Sequence, residues 1–279
     1  MPIKGLFVLI CLTLNACASY SPTARRDYAE NLAHTKQWQR QIIPTSTFDL
    51  LAYVPAHATR NKTLTIYIEG DGLAWLTRQQ RSTDPTPKVP VGLQLALQHS
   101  TGNAVYLARP CQYVTGRQTR NCDKEYWSSH RFAPEVIAAT DEAITDLRNQ
   151  QHARSLVLVG YSGGGAVAAL VAARRSDVTQ LITVAGNLDH LAWTQLHQIS
   201  PLAGSLNPAD VWLSLVNVPQ THFVGSKDQV ITPAIVRAYQ QRFPADTQPL
   251  IKVIDGFDHR CCWARDWPQL LTTTSPSGQ

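Results

Sequence analysis

The run Leu156-Val157-Leu158-Val159 passes without interruption into Gly160-Tyr161-Ser162-Gly163-Gly164-Gly165-Ala166 and then into an Ala-rich stretch. A short run that is apolar at every position, rather than at alternate ones, fits a strand in a parallel sheet covered on both faces. The glycines after it permit a sharp strand-to-helix turn, where a side chain on either flank of Ser162 would strike neighbouring backbone. With Gly and Ser each at about 7% of residues, chance supplies roughly 0.1 such G-x-S-x-G pentapeptides in a chain of this length. The strand before it and the helix after it lower that figure further. Ser162 is therefore a candidate nucleophile, raised above a sheet edge at the positive end of a helix.

The rest of the chain repeats the strand-then-helix rhythm. Strands are expected at Phe48–Val54, Leu64–Glu69, Ala104–Ala108, Leu156–Gly160, Leu181–Ala185, His222–Val224 and Leu250–Ile254. Helices are expected at Val91–Gln98, Glu135–Gln150 (opened by Pro134), Gly164–Arg175, Pro233–Phe243 and Trp263–Leu271, with a weaker helical pattern over Arg25–Trp38. That alternation predicts an α/β domain with a doubly wound sheet. Arg78–Pro90 and Pro110–Ala133 are long, polar and irregular, as functional or mobile loops are. Residues 187–219, with Trp193 and Trp212, read as an insertion of the kind that forms a cap.

Two downstream loops complete a pattern with Ser162. Gly225-Ser226-Lys227-Asp228-Gln229-Val230 follows the strand ending at Val224, and Gly256-Phe257-Asp258-His259-Arg260 follows the last strand, with Trp263 behind it. In the order serine, acid, histidine, these motifs resemble the α/β-hydrolase superfamily, over roughly Phe48 to Leu271. The resemblance implies an α/β-hydrolase fold, with a mostly parallel doubly wound sheet and a small cap insertion. It also implies a serine hydrolase cleaving an ester or related acyl bond of a small-molecule substrate through an acyl-enzyme. Ser162 would be its nucleophile, His259 its base and Asp228 the acid that orients the imidazole. A peptidase or amidase with the same triad, and an idle binding module on the same fold, remain the alternatives. Asp255 and Asp258 are rivals for the acid, and His190, His197 and His222 are weaker ones for the base.

The resemblance further implies an oxyanion hole built from the backbone N–H of Gly163 and a second backbone N–H in Ile68-Glu69-Gly70-Asp71-Gly72, by position that of Asp71. Many members carry His-Gly where this chain has Glu69-Gly70. Glu69 and Asp71 have either structural roles, the preferred reading, or bind a cationic part of the substrate.

At the N-terminus, Lys4 precedes the apolar Leu6–Leu14, too short to span a bilayer, and Leu14-Asn15-Ala16-Cys17 resembles the lipobox of bacterial lipoproteins. This implies a signal peptide over 1–16 and a lipidated Cys17 holding the protein to the cell envelope, the outer membrane being favoured because Ala18 is not aspartate. A plain secretory signal cut near Ala18 is the other reading. The organisation is then a tether and N-terminal segment over 17–45, the hydrolase-like domain over 46–272 and a flexible tail over 273–279.

Export to an oxidising compartment points Cys111, Cys122, Cys261 and Cys262 toward disulfides, with three pairings open. A local Cys111–Cys122 bridge is the simplest, leaving Cys261 and Cys262 free or joined to each other. A cross-pairing between the two regions is the alternative, and zinc binding a poor second to disulfides. No cofactor is expected, because Gly160–Gly165 lacks the lysine and spacing of a phosphate loop and no His/Glu metal motif occurs. A net charge of +5 without Lys/Arg runs leaves no nucleic-acid footprint.

Overall fold

The Leu156–Val159 run lies in β5 (Ser155–Tyr161), flanked by β3 (Thr63–Ile68) and β6 (Val178–Val184) in the middle of an eight-stranded sheet. The computed structural model describes residues 21–57, 62–100 and 103–274. The signal segment and Cys17 lie outside the described residues, as does the tail beyond 274.

Sheet order is β1-β2-β4-β3-β5-β6-β7-β8. The remaining strands are β1 (Trp38–Pro44), β2 (Asp49–Pro55), β4 (Asn103–Leu107), β7 (Gln220–Gly225) and β8 (Leu250–Ile254). β1 pairs with β2, and β2 with β4, antiparallel; every other neighbouring pair is parallel. The carboxyl ends of β3, β5, β7 and β8 therefore share one edge, where open α/β sheets bind ligands.

The helices are α1 (Pro22–Thr35), α2 (Val91–Leu97), α3 (Pro134–Gln150), α4 (Gly163–Ala172), α5 (His190–Leu196), α6 (Trp212–Leu215), α7 (Pro233–Gln240) and α8 (Trp263–Thr272). All ten residues of α4 are buried, which its Gly, Ala and Val composition allows by letting sheet and neighbouring helices approach closely. One apolar layer gathers α3 and α4 against one face of the sheet, and another gathers α2 and the tryptophans of α8 against the opposite face.

The structure differs from expectation at the N-terminal segment. Trp38 opens a strand instead of closing a helix, and the helix ends at Thr35. β1 is an edge strand whose Gln39 and Arg40 are exposed, so it has little of the apolar alternation by which a strand is read. Residues 187–219 form α5, a 3₁₀ turn at Pro208–Val211 and α6 between β6 and β7, with Asp189 Oδ1 accepting the N–H groups of Leu191 and Ala192 to cap α5. Residues 110–133 are irregular but tied down: Cys111 and Cys122 form a disulfide, and Trp127 Nε1 donates to the carbonyl of Ser82.

Candidate active site

Ser162 sits between β5 and α4 with φ +51° and ψ −121°, a conformation non-glycine residues rarely adopt. The close approach there explains the glycines. A Cβ on Gly160 would lie 2.3 Å from the carbonyl oxygen of Gly164, and one on Gly164 would lie 2.3 Å from that of Ile68. The Ser162 N–H donates to Val184, and its carbonyl accepts from Gly165 and Asn187, so the turn is fixed on both sides.

The structure brings Ser162, His259 and Asp228 together. His259 Nε2 lies 3.0 Å from Ser162 Oγ, and His259 Nδ1 lies 2.9 Å from Asp228 Oδ2. The other carboxylate oxygen of Asp228, Oδ1, accepts the N–H groups of Val230 and Ile231, both at 2.8 Å. Asp228 is buried, so these two N–H donors and the imidazole meet nearly all its hydrogen-bonding needs. The histidine loop is held from behind: Trp263 and Trp267 of α8 are fully buried, Trp263 Nε1 donates to the Asp258 carbonyl and Trp267 Nε1 donates to Tyr67 Oη.

The rival acids are engaged elsewhere. Asp258 Oδ1 accepts the N–H groups of Arg260 and Cys261, which hold its carboxyl below the usual range, and Asp255 accepts from Ser226 Oγ. Among the rival histidines, His222 and His190 are buried, and His197 meets the Val230 carbonyl. Cys261 and Cys262, beside His259, form a disulfide with each other.

Gly163, next to Ser162, lies directly against Asp71. Neither backbone N–H makes a hydrogen bond to another group among the described residues. The Asp71 side chain packs on Gly163 so closely that a Cβ there would lie 2.0 Å from Asp71 Oδ1. Arg109 Nη1 donates to Asp71 Oδ1 at 3.2 Å and Arg131 Nη1 to Oδ2 at 2.5 Å. These guanidiniums hold the Asp71 carboxyl below its usual range even though burial pushes the other way. Glu69 is wholly buried and accepts from the N–H groups of Gly70, Gly92 and Leu93 and from Tyr106 Oη. Burial pushes its carboxyl up. Of the two readings of Glu69 and Asp71, this geometry favours the structural one: Glu69 is engaged by three backbone N–H groups and a tyrosine hydroxyl, and Asp71 by two guanidiniums.

Arg109, Arg131 and Tyr161 were not singled out from the sequence. The arginines stand in or beside irregular loops, and no spacing marks residues 38 and 60 positions from Asp71 as its partners. Tyr161, by contrast, lies inside the G-x-S-x-G motif, a signal that it would face the site.

No protein-family model matches the chain, and no curated protein matches its sequence. Solved structures do. A serine hydrolase without a lid from Xanthomonas campestris superposes with a TM-score of 0.54 at 13% identity, covering 87% of this chain and 97% of that one. The naproxen esterase of Bacillus subtilis gives 0.55 at 10% identity, over 91% and 96%. A membrane phospholipase A described as a bacterial virulence factor gives 0.54 at 14%, over 91% and 92%. With its strand order and the parallel run from β3 to β8, the chain has the α/β-hydrolase fold.

Proposed function

We propose that this chain is a serine hydrolase of carboxylic esters or related acyl compounds, with Ser162 as nucleophile, His259 as general base and Asp228 as the orienting acid. The observation that carries the reading is the continuous relay from Ser162 Oγ through both ring nitrogens of His259 to Asp228 Oδ2, at 3.0 and 2.9 Å. With its proton on Nδ1, held by Asp228, the imidazole leaves Nε2 to accept the Ser162 proton as Oγ attacks the acyl carbon. The resulting oxyanion is received by the N–H groups of Gly163 and Asp71 at the head of α4. The imidazolium then protonates the departing alkoxide, and water, activated by the same nitrogen, cleaves the acyl-enzyme and restores Ser162. Every step transfers a proton or an acyl group, and none calls for a cofactor.

The same reading has Cys17 lipidated, tethering the enzyme to the cell envelope, with only a few residues between it and α1. Its support is the lipobox-like run Leu14–Cys17. Hydrolysis of nitrophenyl esters of graded chain length by the full-length protein, lost in Ser162→Ala, tests the catalytic part. Undiminished turnover by that variant would overturn it.

A further inference from the structure

The mechanism leaves an ion cluster beside the oxyanion hole without a task. Asp71, with its side chain on Gly163, is bridged by Arg109 just past β4 and by Arg131 just ahead of α3. Both guanidiniums are almost wholly buried. One arginine would neutralise Asp71; here two buried guanidiniums share that one carboxylate, where an unmatched charge is costly. Glu69, the other acid near Arg109, spends both carboxylate oxygens on the N–H groups of Gly70, Gly92 and Leu93 and on Tyr106 Oη, and makes no hydrogen bond to either arginine among the described residues.

The donors of the pair are not all occupied. Arg131 donates Nε to the Ser128 carbonyl and Nη1 to Asp71, while its Nη2 has no hydrogen-bond partner among the described residues and is not sealed from solvent. Arg109 Nε is buried without a partner. The indole of Trp193 in α5 lies over the Arg131 guanidinium at 5.7 Å, and Trp193 Nε1 donates to the carbonyl of Val230, whose own N–H holds Asp228. Arg131 thus stands between the oxyanion hole and the acid loop.

We propose that Arg131, supported by Arg109, binds a carboxylate or phosphate on the acyl part of the substrate, so that this enzyme turns over anionic esters in preference to neutral ones. The inference rests on the hydrolase reading of Ser162. The acyl part is chosen because the cluster abuts Gly163, whose N–H receives the acyl oxygen. A guanidinium nitrogen with free N–H groups, here Nη2, donates charge-assisted hydrogen bonds to either anion, and an aromatic ring over its face fixes its plane.

The test compares three substrates of the full-length protein in detergent: 4-nitrophenyl pentanoate, mono-4-nitrophenyl glutarate, and the 4-nitrophenyl ester of 4-phosphonobutyrate. The wild type should favour one anionic ester over pentanoate in kcat/KM by at least about tenfold, mainly through KM. Which anion wins decides between carboxylate and phosphate. Arg131→Gln should collapse that ratio, and Arg131→Lys should restore part of it. A purely structural ion cluster would lower all three substrates together and leave the ratio unchanged, which would overturn the proposal. Should Arg131→Gln fail to fold, free glutarate or inorganic phosphate must inhibit pentanoate hydrolysis by the wild type competitively, while pentanamide does not. Absence of that inhibition also overturns it. Fluorophosphonate labelling of the wild type runs in parallel: labelling with no anionic preference sinks the anion site alone, whereas no labelling sinks the hydrolase reading beneath it.

Discussion

Tyr161 Oη donates a 3.0 Å hydrogen bond to the carbonyl oxygen of His259, and the two rings lie 5.4 Å apart. The residue before Ser162 thus holds the backbone of His259, joining the ends of β5 and β8. Burial raises the Tyr161 phenol far above its ordinary pKa, so it stays a donor across the working range. Tyr161→Phe should cost about 1 kcal/mol of stability and lower kcat by about three- to tenfold with little change in KM, because it loosens the base without touching substrate. Steady-state kinetics on a neutral ester check this; an unchanged kcat would count against the link.

Glu69 accepts four hydrogen bonds, one from Gly70 beside it, two from the first turn of α2 and one from Tyr106 of β4, and so ties the loop carrying Asp71 to both elements. Glu69→Ala strands three buried N–H groups and a tyrosine hydroxyl, so urea unfolding should show a loss on the order of 3–5 kcal/mol. Glu69→Gln, which keeps an acceptor in place, should lose roughly half that. Equal losses for the two variants would refute the view that acceptance, rather than volume, is the role of this carboxylate.

His222 sets a pH limit on stability. It is fully buried, with Nδ1 2.9 Å from Thr183 Oγ1, the Tyr239 ring against it and no partner for Nε2 among the described residues. Burial pushes its pKa down to about 3, from 6.5. The unfolded chain therefore binds a proton below pH 6.5 that the folded chain refuses. The stability tied to this residue is intact above pH 6.5 and is lost as pH falls toward 3, by up to about 1.4 kcal/mol per pH unit. His222→Gln should flatten the stability profile across that window. An unaltered slope in denaturant midpoints measured from pH 7 to 4 would rule this out.

Cys17→Ser should release the protein from membranes and abolish labelling with radioactive palmitate, since stable anchoring requires acyl chains. Fractionation and labelling of cells producing the variant decide it; retained label would end the lipoprotein reading.

What was legible in the sequence follows from how local each signal is. The elbow at Ser162 and the loops bearing Asp228 and His259 are short contiguous motifs after apolar strands, and these strands lie in the observed sheet, mostly within a residue or two of their expected bounds. β1 was missed because Trp38–Pro44 takes its strand identity from pairing with β2, not from its own apolar pattern. The Asp71–Arg109–Arg131 cluster was missed for the same reason at longer range: its members meet only once β3, β4 and the loop before α3 are folded together. The Cys111–Cys122 link, eleven residues apart, is local and was the preferred pairing.

Covalent catalysis through Ser162 Oγ is the central expectation. Intact-mass analysis of the full-length protein after fluorophosphonate treatment, followed by peptide mapping, measures this directly. A single adduct on the peptide containing Ser162, absent in Ser162→Ala and slowed on the order of 10³-fold in His259→Ala, is the predicted result. An adduct of equal yield in a folded Ser162→Ala protein would contradict it.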